Sequence, residues 1–110
     1  MIMVKNEMDI VLEISAKNYV DELLLMKKAL SHMESLVGCY NGYLFSEPDT
    51  NFGWTFFKLA FKPDLQSGIE EKFSDMIDKY RWSKPPEKFA KFMADYFKAR
   101  GCDIRVKIAD

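Results

Sequence analysis

The sequence is poor in the residues from which reaction centres are usually built. One histidine and two cysteines occur in 110 residues, so there is no histidine pair to hold a metal and no Cys–His couple at a recognisable spacing. His32 falls beside the apolar stripe of a helix and reads as a surface side chain. Cys39 and Cys102 each follow a glycine that ends a helix. There the negative pole of the helix dipole disfavours a thiolate, and both read as free, structural thiols. The glycines of 38–42 lack the lysine of a phosphate loop, and no serine sits in a nucleophile elbow. The expectation is a non-catalytic chain with no metal and no cofactor.

Long apolar runs are missing too. The longest uncharged stretch, Ser35 to Ser46, is broken by Gly38, Asn41 and Gly42 and is too short to span a bilayer. Residues 1–5 (Met, Ile, Met, Val, Lys) have no basic segment leading into an apolar core, so the expected compartment is the cytoplasm. Net charge is only -1, which argues against a role dominated by polyanion binding. The charge is unevenly placed: residues 1–83 carry 9 basic and 13 acidic side chains, residues 84–107 carry 7 and 3.

What is present is enough apolar material for one core. Hydrophobic residues make up 48% of the chain and charged residues 30%, a globular composition. With no internal repeat or low-complexity segment, residues 1–110 read as a single α+β domain.

Met8, Ile10, Leu12 and Ile14 alternate with Asp9, Val11 and Glu13, the period of a half-buried strand. Asn18 has the place of an N-cap. From it Tyr19, Leu23, Met26, Leu30, Met33 and Val37 recur at helical spacing up to Gly38. Tyr40 to Phe45 and Phe52 to Phe61 read as two strands of a hairpin joined by a loop around Glu47-Pro48-Asp49. After Pro63, Ser67 and Glu70 have capping-box spacing and open a helix with the stripe Ile69, Phe73, Met76, Ile77 and Tyr80. Pro85-Pro86 breaks it. A third helix carries Phe89, Phe92, Met93, Tyr96 and Phe97 to Gly101, and Ile104, Val106 and Ile108 form the last strand.

The predicted order, β-α-β-β-α-α-β, is the ferredoxin-like split βαβ plait with an added helix: a four-stranded, mainly antiparallel sheet with its helices on one face. Period-2 alternation then says what the bare face shows. With Thr55, Phe57, Leu59 and Phe61 inward, Phe52, Trp54, Phe56 and Lys58 point out; the opposite register leaves Phe57, Leu59 and Phe61 out, and either choice exposes aromatics. The second strand adds either Tyr43 and Phe45 or Tyr40 and Leu44, and the first adds Val11 between Asp9 and Glu13. Asp9 and Glu13 would pair with Arg105 and Lys107 across the sheet. Such an aromatic patch calls for a partner. The expected partner-binding set is Phe52, Trp54, Phe56, Tyr43, Phe45 and Val11. Lys84, Lys88, Lys91 and Lys98 on the third helix form a second, basic face.

Two resemblances attach to these segments. Asn51-Phe52-Gly53-Trp54-Thr55-Phe56-Phe57 resembles the aromatic third-strand motif of RNA-recognition domains, which implies base stacking on Phe52 and Trp54. Thr50 stands where that motif has a basic residue, and Val11 where the first strand has an aromatic. The stretch from Gly38-Cys39 through Ser46 and Asp49 is similar to part of the dimeric α/β-barrel proteins that include small antibiotic-biosynthesis-type monooxygenases. This implies a homodimer packed through two open sheet faces. The histidine often found in the helix after the third strand of that group is absent here.

The leading expectation is a small binding protein, inhibitor- or immunity-like, that docks a protein partner through the open aromatic face and forms a homodimer. The alternatives are a dimeric α/β-barrel small-molecule binder or cofactor-poor enzyme, with a pocket at Tyr40, Tyr43 or His32, and a binder of single-stranded nucleic acid.

Overall fold

A computed structural model describes residues 10–81 and 83–109. Its elements run β1 (Ile10–Ala16), α1 (Tyr19–Val37), β2 (Tyr43–Phe45), β3 (Asp49–Asn51), β4 (Trp54–Phe61), α2 (Pro63–Lys72), α3 (Ser74–Ile77), α4 (Pro85–Ala99) and β5 (Ile104–Ile108). The class is α+β, as the sequence predicts. The sheet has five strands rather than four, ordered β2-β4-β1-β5 with β3 also on β4, and every pairing is antiparallel. Met8 and Asp9, assigned to the first strand, lie outside the described residues.

The extra strand arises because one arm of the hairpin is broken. Tyr43 lies opposite Phe61 and Phe45 opposite Leu59, whereas Asp49 lies opposite Phe56 and Asn51 opposite Trp54. The two stretches are one residue out of step, so Ser46, Glu47 and Pro48 form a bulge rather than the hairpin loop. Ser46 holds it: its N–H donates to the Lys58 carbonyl at 2.9 Å, and its Oγ accepts from the Lys58 N–H at 2.7 Å. The chain reverses later, at Phe52-Gly53, where the backbone has φ +54° and +79°. Positive φ at both central residues is the pattern of a type I′ turn.

Alternation puts Leu12, Ile14 and Ala16 of β1 and Thr55, Phe57, Leu59 and Phe61 of β4 on the face beneath the helices, all of them buried. Met26, Leu30 and Met33 of α1, Leu65 and Ile69 of α2, and Phe89, Phe92, Met93 and Phe97 of α4 close over them. Rings interlock across the two layers: Phe61 meets Phe89 edge-on at 5.1 Å and Tyr19 meets Phe57 at 5.1 Å. Each fully buried large side chain contributes roughly 1.5–3 kcal/mol, so this layer carries the stability of the domain.

Helix α1 has the limits its sequence predicts, although the Asn18 side chain makes no capping bond. Helix α2 starts four residues before the predicted Ser67, because Pro63 takes its first turn, where a missing N–H costs nothing. Gly68 lets α2 approach α1; a Cβ there would come within 2.2 Å of Val37 Cγ1. The predicted second helix is interrupted at Phe73. Both prolines of 85–86 lie inside α4 rather than before it, and Lys84 is extended, as a residue before proline should be. Strand β5 returns antiparallel to β1, hence parallel to β4. Sequence alone leaves the direction of this strand open after the Pro85-Pro86 break, and its pairing with β1 fixes it.

Two buried carboxylates on α1 tie the sheet ends to the helix layer. Glu34 Oε2 accepts from the Gly42 N–H at 3.0 Å, at the entry to β2. Glu22 Oε1 accepts from the Asp103 N–H at 2.8 Å, at the entry to β5. No helix among the described residues is long and apolar enough to cross a membrane.

Candidate binding face

The sheet face away from the helices is built by the odd residues of β1 and β5 and the even residues of β4. From the hairpin end, Trp54 lies beside Lys17. Next Phe56 lies between Asp49 and Ser15, then Lys58 beside Glu13 and Ala60 beside Val11. On the far side Arg105 lies opposite Ser15, and Lys107 opposite Glu13. The ion pair expected across the sheet forms between β1 and β5, Lys107 Nζ to Glu13 Oε1 at 3.4 Å. Lys107 is largely exposed and Glu13 half-buried, so its contribution to stability is small.

Two cations lie over the Trp54 ring. The Arg105 guanidinium lies 4.6 Å from its ring centroid and Lys17 Nζ 5.2 Å. Such contacts are worth about 0.5–1 kcal/mol each at exposed sites. They also take up ring surface on which a base would stack. Phe56, next along the strand, is 43% exposed.

Phe52 is the most unusual residue of the chain. It is 93% exposed, and its backbone sits at φ +54°, a region that bulky L side chains rarely adopt. Among the described residues the ring gains almost no burial to offset the strain.

The expected set therefore divides. Trp54, Phe56 and Val11 share the outer face. Phe52 joins them from the turn rather than from the strand, which removes the strand spacing that the RNA-recognition resemblance requires. Tyr43 and Phe45 need correcting: their partners Phe61 and Leu59 are buried, so both rings lie on the helix side, and Phe45 contacts Phe57 at 5.8 Å. Burial and the nearby Glu34 carboxylate raise the Tyr43 pKa. Leu44, 61% exposed, is the residue that β2 presents outward. Lys17 and Arg105 were missed as members of the site. The signal for Arg105 was its outward parity in β5.

The four lysines of the expected basic face lie on α4 and at its N-cap. Lys84 is the N-cap, with its N–H donating to Glu87 Oε1 at 3.3 Å. Lys88 is half-buried, and Lys91 Nζ donates to Ser83 Oγ at 2.6 Å. Asp95 interrupts the stripe and accepts a short hydrogen bond from the Tyr80 hydroxyl. Lys98 is exposed.

Among the described residues no cluster of metal-ligating side chains occurs. His32 is exposed on α1. Cys39 and Cys102 are free, and burial, with the Glu22 carboxylate close by, pushes the Cys102 thiol up to about 11. An apolar cleft of about 530 Å³ lies between α3 and α4, walled by Phe73, Met76, Phe92 and Tyr96, with none of Tyr40, Tyr43 or His32 lining it. No family model, curated protein or solved structure shows significant similarity to this chain.

Proposed function

We propose that this chain is a non-catalytic binding protein that docks a protein partner through the Phe52 hairpin tip and the adjoining outer face of Trp54 and Phe56. One observation carries the reading. A phenylalanine occupies a turn position that favours asparagine or glycine, and it projects into solvent. Strain kept at a position that gives the monomer no return points to a role outside it. The partner surface that fits has an apolar pocket for the ring and charged side chains of both signs around it, because Lys17, Lys58, Arg105 and Lys107 share this face with Glu13, Glu47 and Asp49.

We read the strand order β2-β4-β1-β5, with β2 and β3 as one broken arm, as that of the split βαβ plait. The two free thiols fit a reducing compartment such as the cytoplasm.

Affinity capture from the native cell, comparing wild type with Phe52→Ala and Arg105→Glu, tests the proposal. A protein retained by wild type, lost by both variants and bound again as a purified 1:1 complex is expected. Equal retention by all three refutes it. Sedimentation at 1–100 μM separates the other outcomes: a wild-type dimer lost in Trp54→Lys replaces the protein partner with a second copy. Salt-sensitive binding of a single-stranded oligonucleotide replaces it with nucleic acid.

A further inference from the structure

The two edges of the sheet differ. On one side β2 and β3 are three residues each, separated by the bulge and Pro48, which keeps that edge from offering a continuous row of backbone groups. On the other side β5 is continuous from Ile104 to Ile108, with no proline or bulge. The Ala109 N–H donates to the Val11 carbonyl at 2.9 Å. Antiparallel alternation repeats that arrangement every second residue, so Lys107 and Arg105 turn their backbone groups to β1. Ile104, Val106 and Ile108 turn theirs to the open side. Among the described residues no strand pairs there.

Beside this edge lies a cleft of about 240 Å³ between β5 and α4. Ala90 and Ala94 of α4 and Val106 and Ile108 of β5 line it, with Glu87 and Lys91 as polar neighbours. Only the small alanines leave this space; a strand laid along β5 would drop every second side chain into it. The intervening side chains would lie opposite Arg105 and Lys107 on the outer face, close enough for cross-strand pairing. Lys107 is 75% exposed despite its contact with Glu13, so it is available to a second carboxylate.

We propose that the β5 edge is a strand-addition site for an extended segment of a protein partner in which small apolar residues alternate with acidic ones. Main-chain hydrogen bonds to Ile104, Val106 and Ile108 supply affinity, the alanine-floored cleft takes the apolar side chains, and Arg105 and Lys107 select the acidic ones. A second copy of this chain is the poorer occupant. Two β5 strands paired antiparallel about Val106 would set Arg105 of each against Lys107 of the other, and like charges directly opposite are destabilising. This site shares Arg105 and Lys107 with the outer face but takes nothing from Phe52, Trp54 or Phe56.

The probe is a fluorescein-labelled peptide of alternating valine and glutamate, titrated into the full chain by anisotropy. A peptide of the same composition in blocks and one of alternating valine and lysine serve as controls. Saturable micromolar binding of the first peptide alone is expected. On binding, amide exchange should slow at Ile104, Val106 and Ile108 and stay unchanged at Arg105 and Lys107. Val106→Pro removes an outward N–H without touching the β1 ladder, and Ala94→Leu fills the cleft. Each should weaken binding at least tenfold while the far-UV spectrum and melt remain native. Arg105→Glu with Lys107→Glu should transfer preference to the lysine peptide. Phe52→Ala should leave the titration unchanged, so failure here and failure of the tip reading are told apart. Equal binding of the block peptide overturns the proposal, as does binding insensitive to Val106→Pro, or no slowing of the three amides. A concentration-dependent dimer that Val106→Pro abolishes overturns it in favour of a second copy.

Discussion

Replacing Phe52 with asparagine should make the isolated protein more stable. At φ +54° an ordinary L residue costs about 1–2 kcal/mol, whereas asparagine tolerates the left-handed region and Asn-Gly is the preferred pair for this turn. The usual counterweight, lost burial, is almost absent because the ring is 93% exposed. The net gain is then about 1 kcal/mol, or a rise of roughly 4–5 °C in Tm for a domain of this size. Phe52→Ala separates ring from backbone. It keeps a Cβ at the same φ, so its Tm should stay within about 2 °C of wild type, while its partner binding should fall as far as that of Phe52→Asn. Calorimetry or urea titration of the three proteins reads the result. If Phe52→Asn melts at or below wild type and Phe52→Ala loses more than about 1 kcal/mol, the ring makes a stabilising contact inside the monomer, and strain without return is refuted.

Three further outcomes follow from the buried polar groups. With Cys39→Ser removing the other thiol, Cys102 should react with iodoacetamide at pH 8 about 100-fold more slowly than an ordinary thiol. Its pKa is near 11 rather than 9, and denaturant should abolish the difference. Cys102 also sets an alkaline limit. A folded pKa raised above the unfolded one gives stability that is fully present below pH 9 and lost as pH rises toward 11, on the order of 2 kcal/mol. In Cys102→Ala that part of the pH dependence should vanish, leaving the slope from Tyr80, whose pKa burial and Asp95 raise to about 12. Glu34→Ala leaves the Gly42 N–H buried without its acceptor and should cost about 1–3 kcal/mol in urea unfolding, whereas Glu34→Gln, which keeps an acceptor oxygen, should cost clearly less.

The parts of the fold legible in the sequence are those with a long, unbroken period. Helix α1 shows five turns of apolar spacing ended by Gly38, and its limits are those predicted. Strands β1 and β5 alternate over seven and five residues, enough to read which parity is inward, whereas β4 has apolar side chains on both parities and only its pairing with β1 decides between its two registers. Shorter elements carry less information. The β2 stretch has large apolar side chains at Tyr43, Leu44 and Phe45 alike, so no parity can be read from it. Its register is set instead by Phe61 and Leu59 on the neighbouring strand. Helix α2 was misplaced because two start signals compete within five residues, Pro63 and the Ser67–Glu70 spacing, and the earlier one prevails.

The hairpin turn shows most clearly why the candidate site was only half legible. Glu47-Pro48-Asp49 has ordinary turn chemistry, yet it forms a bulge within an arm. Phe52-Gly53 has the chemistry of a strand on one side only, yet it makes the turn. A rule that assigns aromatics to strands must fail at such a position, because the residue present is not the one the backbone prefers. In a chain whose other segments agree with their local propensities, disagreement of this kind is expected at sites kept for something other than folding. The glycine at position 53 was the available clue. Had Asn51 and Gly53 been taken as the ends of a reversal, Phe52 would have stood at its tip, and the aromatic triad would have appeared as a projecting corner of the sheet rather than a flat stripe along one strand.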